Sequence, residues 1–77
     1  MSQYRDDEVL DAVVKGLKKL RTELRITMED VYNDTGLNIS RIEGGKANIT
    51  ISTLRKLCNY YQLPLYKFFK DYCDNAL

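Results

Sequence analysis

Leu10, Val13, Leu17, Leu20 and Leu24 recur at alternating steps of three and four residues, and no other feature constrains the chain as tightly. At about 3.6 residues per turn these positions fall on one stripe of an α-helix, whereas a strand would send them to both of its faces. The stripe predicts a helix from about Asp6 to Leu24. Asp6, Asp7 and Glu8 suit the positive end of its dipole, and Lys18, Lys19, Arg21 and Arg25 suit the negative end. Gly16 interrupts this helix at a cost of about 1 kcal/mol relative to alanine.

The rest of the chain is punctuated closely. Thr27 can cap a second helix, with Glu29 and Asp30 in its first turn, Ile26 placed for a hydrophobic staple, Val31 pointing inward and Gly36 ending it. Asn38 can cap a very short third helix through Ile39 and Ile42 to Glu43, stopped by Gly44-Gly45. Thr50 can cap a fourth, in which Ile51, Leu54, Leu57, Cys58 and Tyr61 share a face, ending near Gln62. Pro64 opens a last helix through Leu65, Phe68, Phe69 and Tyr72, where its missing amide costs little. No strand signal competes, and a chain of 77 residues has room for one core. Residues 1–77 therefore read as a single compact all-α domain of five helices.

Composition removes several function classes. Histidine is absent, which excludes zinc chemistry and a His-based triad. Gly16, Gly36, Gly44 and Gly45 match no phosphate-binding loop, so neither an enzyme nor a cofactor is expected. Cys58 and Cys73 are too few for a disulfide scaffold and are expected to stay reduced. No apolar run approaches the roughly 18 residues of a membrane span, and the opening Met1-Ser2-Gln3-Tyr4-Arg5-Asp6-Asp7-Glu8 is acidic where a leader would be basic, so a cytoplasmic protein is expected. The net charge of +1 hides a segregation: residues 1–14 carry −3, residues 15–56 set nine Lys/Arg against five acids for +4, and the remainder is neutral. The positive surplus sits mid-chain, where it can meet a polyanion or simply face solvent.

Between about Leu17 and Phe69 the residues resemble the helix-turn-helix domain of the phage repressor and Cro type, also called the xenobiotic response element family. The likeness rests on Leu20-Arg21, Ile26-Thr27 with Glu29-Asp30-Val31, Gly36-Leu37, Ile39-Ser40-Arg41-Ile42-Glu43, Gly45-Lys46, Asn48, Leu54 and the closing Leu63-Pro64-Leu65-Tyr66-Lys67-Phe68-Phe69, with residues 70–77 as a tail. The resemblance implies a five-helix lambda-repressor-like bundle in which helix 2 crosses the DNA backbone and helix 3 enters the major groove, usually as a symmetric dimer. Two departures stand out. Met28 occupies the first position of helix 2, where such domains usually place a glutamine, and it cannot donate to phosphate. Between Gly36-Leu37 and Ile39 the usual family spacing holds three more residues, nearly one turn of ~5.4 Å, so the recognition helix is shortened.

Candidate DNA contacts are then Thr27 and Met28 through backbone amides at the start of helix 2, Asn38, Ser40 and Arg41 on helix 3, and Lys46 and Asn48 in the following loop. Asn38 is better explained as a helix cap; the planar fork of Arg41 suits guanine or phosphate, although a solvent-facing arginine on a short helix would look the same. Arg21 and Glu43 resemble a family ion pair that ties helix 1 to helix 3. Six aromatic rings crowd residues 60–72, more than a small core absorbs, and Tyr60, Tyr66, Phe69 and Tyr72 are the candidates for a homodimer interface. The expected function is a sequence-specific DNA-binding transcriptional regulator that binds double-stranded DNA as a dimer on an inverted repeat. The alternative is a protein-interaction module, antitoxin-like or adaptor, on the same scaffold with weak or no DNA readout.

Overall fold

A computed structural model describes residues 6–45 and 48–73, and all regular structure among them is helical. In chain order the elements are α1 (Asp7–Glu23), α2 (Met28–Thr35), α3 (Ile39–Glu43), α4 (Ile51–Tyr60) and α5 (Leu65–Tyr72).

Local chemistry sets most of the helix starts. The Asp6 carboxylate accepts from the Val9 amide at 3.1 Å and caps α1. Thr27 and Asp30 form a reciprocal capping box on α2: the Asp30 amide donates to Thr27 Oγ1 at 3.0 Å, and the Thr27 amide donates to the Asp30 carboxylate at 3.2 Å. Asn38 accepts from the Arg41 amide on α3, and Thr50 from the Thr53 amide on α4, each at 3.1 Å. Pro64 stands at the cap of α5, one residue before the helix begins, and contributes its carbonyl to the amides of Lys67 and Phe68.

The helix ends differ in kind. Gly36 closes α2 at φ +76°, a left-handed backbone that glycine adopts without strain. Arg25 and Gln62 take the same turn after α1 and α4, at φ +58° and +61°. In each case two amides past the helix bond back to its last carbonyls, Arg25 to Thr22 and Ile26 to Arg21, Gln62 to Asn59 and Leu63 to Cys58.

These ends decide two residues that periodicity places wrongly. Leu24, at the end of the α1 stripe, is 44% exposed because the helix stops at Glu23 and the chain turns there. Ile51, assigned to the apolar face of α4, is 66% exposed because it is the first helical residue and overhangs the core.

The core joins Val13, Leu17 and Leu20 of α1, Val31 of α2, Ile39 and Ile42 of α3, Leu54, Leu57 and Cys58 of α4, Tyr61, Phe68 of α5 and Cys73. Both cysteines are free and buried, and burial raises both thiols, that of Cys58 to about 11. α1 packs against α3 and α5, α4 against α5, and α2 against α3. Gly16 has a use there: a Cβ at this position would lie 3.1 Å from Phe68 Cζ and 3.1 Å from Tyr72 Cβ, so its absence lets α5 approach α1 closely. Phe68 stacks on Tyr72 at 5.7 Å between ring centroids, and the Tyr72 hydroxyl donates to Glu23 at 2.7 Å, clasping the far end of α1.

Candidate nucleic-acid interface

α2 and α3 are joined by Gly36, Leu37 and Asn38 alone, and Val31, Ile39 and Ile42 bury the inner sides of the two helices. The pair is anchored by one guanidinium. Arg21 Nε donates to Glu43 at 2.6 Å, its Nη2 donates to the other carboxylate oxygen at 3.0 Å, and its Nη1 donates to the Ile26 carbonyl at 2.8 Å. A planar fork with two bonds to one carboxylate fixes orientation as well as distance. The side chains of Arg21 and Glu43 are only 10% and 3% exposed, so this cluster is part of the interior. The hydrogen bond to Glu43 raises the Arg21 pKa further, against the opposing effect of burial. The end of α1, the residue before the α2 cap and the last residue of α3 are thereby held by a single side chain. The Tyr61 hydroxyl is buried with no hydrogen-bond partner among the described residues, and its pKa is pushed up to about 12, first by burial and then by Glu43.

On the outer side the candidate contacts are arranged as follows. Thr27 is exposed, but its amide is taken by Asp30; the Met28 and Glu29 amides, which lack an intrahelical acceptor, remain at the start of α2. The Met28 side chain is 39% exposed. Asn38 is exposed with its carbonyl oxygen committed to the α3 cap. Ser40 and Arg41 are both exposed on α3, and Asn48 is exposed in the connection to α4. Lys46 lies outside the described residues. α3 has five residues, a rise of about 7.5 Å, so Ser40 and Arg41 make up most of what it presents.

Charge is distributed by helix in a way that counting along the chain concealed. α2 carries Glu29, Asp30 and Asp34, all exposed, and no Lys or Arg. Asp34 accepts from the Tyr60 hydroxyl at 2.5 Å, and this bond holds the Tyr60 pKa up at about 12. α4 carries Arg55 and Lys56 and no acid. Ser52, Arg55, Lys56 and Asn59 line one shallow, open depression on its outer side. The sequence reading missed this group, although the spacing i, i+3, i+4, i+7 was a sufficient signal.

Of the four candidate dimer residues, Tyr66 is 74% exposed. Tyr60, Phe69 and Tyr72 are partly buried and engaged within the chain, Tyr60 with Asp34, Phe69 edge-on to Phe68, and Tyr72 with Phe68 and Glu23. Among the described residues there is no cluster of three or more metal-ligating side chains, and no helix is long and apolar enough to cross a membrane.

A bundle in which two short helices meet at a three-residue turn, the second bolted to the core and open on its outer side, defines a helix-turn-helix protein. A family model described as a helix-turn-helix domain matches residues 15–72, and the chain belongs to this family, consistently with the repressor and Cro type. The match runs from the middle of α1 to the end of α5. Comparisons with curated proteins and with solved structures find no match.

Proposed function

We propose that this protein is a sequence-specific DNA-binding transcriptional regulator that occupies an inverted repeat as a homodimer, and that it acts in the cytoplasm without enzymatic activity. Helix-turn-helix domains are in general parts of DNA-binding regulators. The observation that carries the finer reading is the Arg21–Glu43–Ile26 cluster, which holds α3 rigid with Ser40 and Arg41 outward. A reader placed to within a fraction of an ångström can discriminate bases, and Arg41 has the planar donor pair that matches a guanine edge. Met28, Glu29, Asn48 and Lys46 serve the backbone, the first two through amides. Dimerisation through α5, with Tyr66 at its centre and Tyr60, Phe69 and Tyr72 around it, doubles the recognised sequence.

Selection of bound sites from random duplexes tests this reading. Arg41→Ala relaxes the preference at one base pair by about 1–3 kcal/mol, while Lys46→Ala weakens every site alike. The proposal is wrong if the unaltered protein enriches no sequence. Sedimentation that finds only monomer at tens of micromolar removes the dimer and leaves a monomeric reader.

A protein-interaction module is the second reading, and the all-acidic α2 favours it, since that helix would have to approach phosphates. Salt separates the two: a DNA complex weakens steeply as salt rises because cations on the protein displace counterions from phosphates, and an interaction module shows no such slope with duplex.

A further inference from the structure

Among the described helices, α4 alone has only basic charges, and neither Arg55 nor Lys56 forms an ion pair with a described residue. We propose that the outer face of α4, formed by Ser52, Arg55, Lys56 and Asn59, is a second phosphate-binding surface that contacts the backbone of duplex DNA outside the α2–α3 unit. The proposal rests on the DNA-binding reading and adds to it a place and a ligand group.

The inner face of α4 buries Leu54, Leu57 and Cys58, so the opposite face is fixed toward solvent whatever the surface residues are. On that face the four residues stand at i, i+3, i+4 and i+7, two cations flanked by a hydroxyl and a carboxamide. All four can donate hydrogen bonds, and arginine and lysine can do nothing else. The donors extend over seven residue steps, about 10 Å along the helix, while each strand of a duplex advances one phosphate per ~3.4 Å of axis. Two or three successive phosphates therefore lie within reach of the row. A regular row of donors fits the regular row of anions along a duplex strand. The row also begins four residues beyond Asn48, so it continues from the connection that follows α3. α2 is the electrostatic opposite, with three exposed carboxylates, and a duplex held by α2 and α3 alone would have few cations to meet.

The test is the double variant Arg55→Gln with Lys56→Gln in the full chain, titrated with duplex DNA across a range of salt. Loss of two phosphate contacts flattens the slope of log affinity against log salt by about 2, at roughly 0.9 per contact, with the selected site sequence unchanged. Thermal unfolding stays where it was, since both side chains are exposed. An unchanged slope overturns the proposal even when the unaltered protein still enriches a sequence. If no sequence is enriched but duplex binding has a slope that the double variant flattens, the α4 surface stands and sequence-specific reading falls. Binding to poly-glutamate that the double variant abolishes, with duplex affinity untouched, also overturns it and assigns the face to an acidic protein.

Discussion

The seam between α1 and α5 and the α2–α3 unit are held by opposite means. At the seam Gly16 clears a space that the Phe68 and Tyr72 rings fill, so shape and buried apolar area fix the helices, with one exposed hydrogen bond from Tyr72 to Glu23 at the rim. The α2–α3 unit has three fully inward apolar residues, Val31, Ile39 and Ile42, and takes its position from the directed bonds of Arg21. Apolar contact tolerates small slides, whereas a bidentate ion pair does not. The less apolar half is thus held by the more directional contacts, which suits the registration with a groove proposed above.

Two truncations probe this contrast with the largest expected effects. Phe68→Ala empties the seam and is expected to cost about 3–5 kcal/mol, most of the stability of a small domain. Glu43→Ala leaves Arg21 charged and buried and is expected to cost about as much, roughly 3–5 kcal/mol. Chemical denaturation measures both. They part company on repair: Arg21→Met with Glu43→Leu recovers most of the stability while duplex discrimination stays lost. Recovery of both would mean that the pair supports folding without setting the position of α3.

Smaller effects follow in order. Gly16→Ala gains helix propensity but forces a methyl against Phe68 and Tyr72, and a net loss of about 1–2 kcal/mol is expected in urea unfolding. A gain instead would show that α5 moves aside freely and that the seam is looser than its contacts imply. Tyr61→Phe removes an unpartnered buried hydroxyl beside the ion pair and is expected to stabilise by about 1 kcal/mol. Destabilisation would reveal a bond from that hydroxyl to the Arg21 cluster.

The smallest effect is with pH. Bonds to Asp34 and Glu23 hold the Tyr60 and Tyr72 hydroxyls up at about 12, while an unfolded tyrosine titrates near 10. The folded form keeps these protons longer, so the stabilisation is complete below about pH 10 and is lost as pH rises toward 12. The urea midpoint should fall less steeply over that range when both residues are phenylalanine. Equal falls would mean that the two bonds are not maintained in solution.

How much of this was legible without coordinates follows from the range of each interaction. The caps at Thr27, Asn38 and Thr50, the left-handed Gly36 and the brevity of α3 are local, involve residues a few positions apart, and could be read directly. Leu24 and Ile51 misled because periodicity continues through a helix end whereas burial does not. Gly16 was legible as a cost but not as a clearance, since Phe68 and Tyr72 reach it from across the fold. The Tyr60–Asp34 and Tyr72–Glu23 bonds join residues 26 and 49 positions apart, and the reach of Arg21 to a backbone carbonyl has no side-chain signature at all. The α4 face was spelled out in the spacing but escaped because charges were summed along segments and not around helices.

If α3 reads bases as proposed, a helix of only five residues has a small vocabulary. Two adjacent outward side chains address about two or three base pairs, a word that recurs constantly among the roughly 10⁶ or more competing sites of a genome. A single copy could not find one address by spelling alone. On the proposed dimer, selectivity resides in the interval between two such words, and the separation of the paired subunits matters more than any one letter.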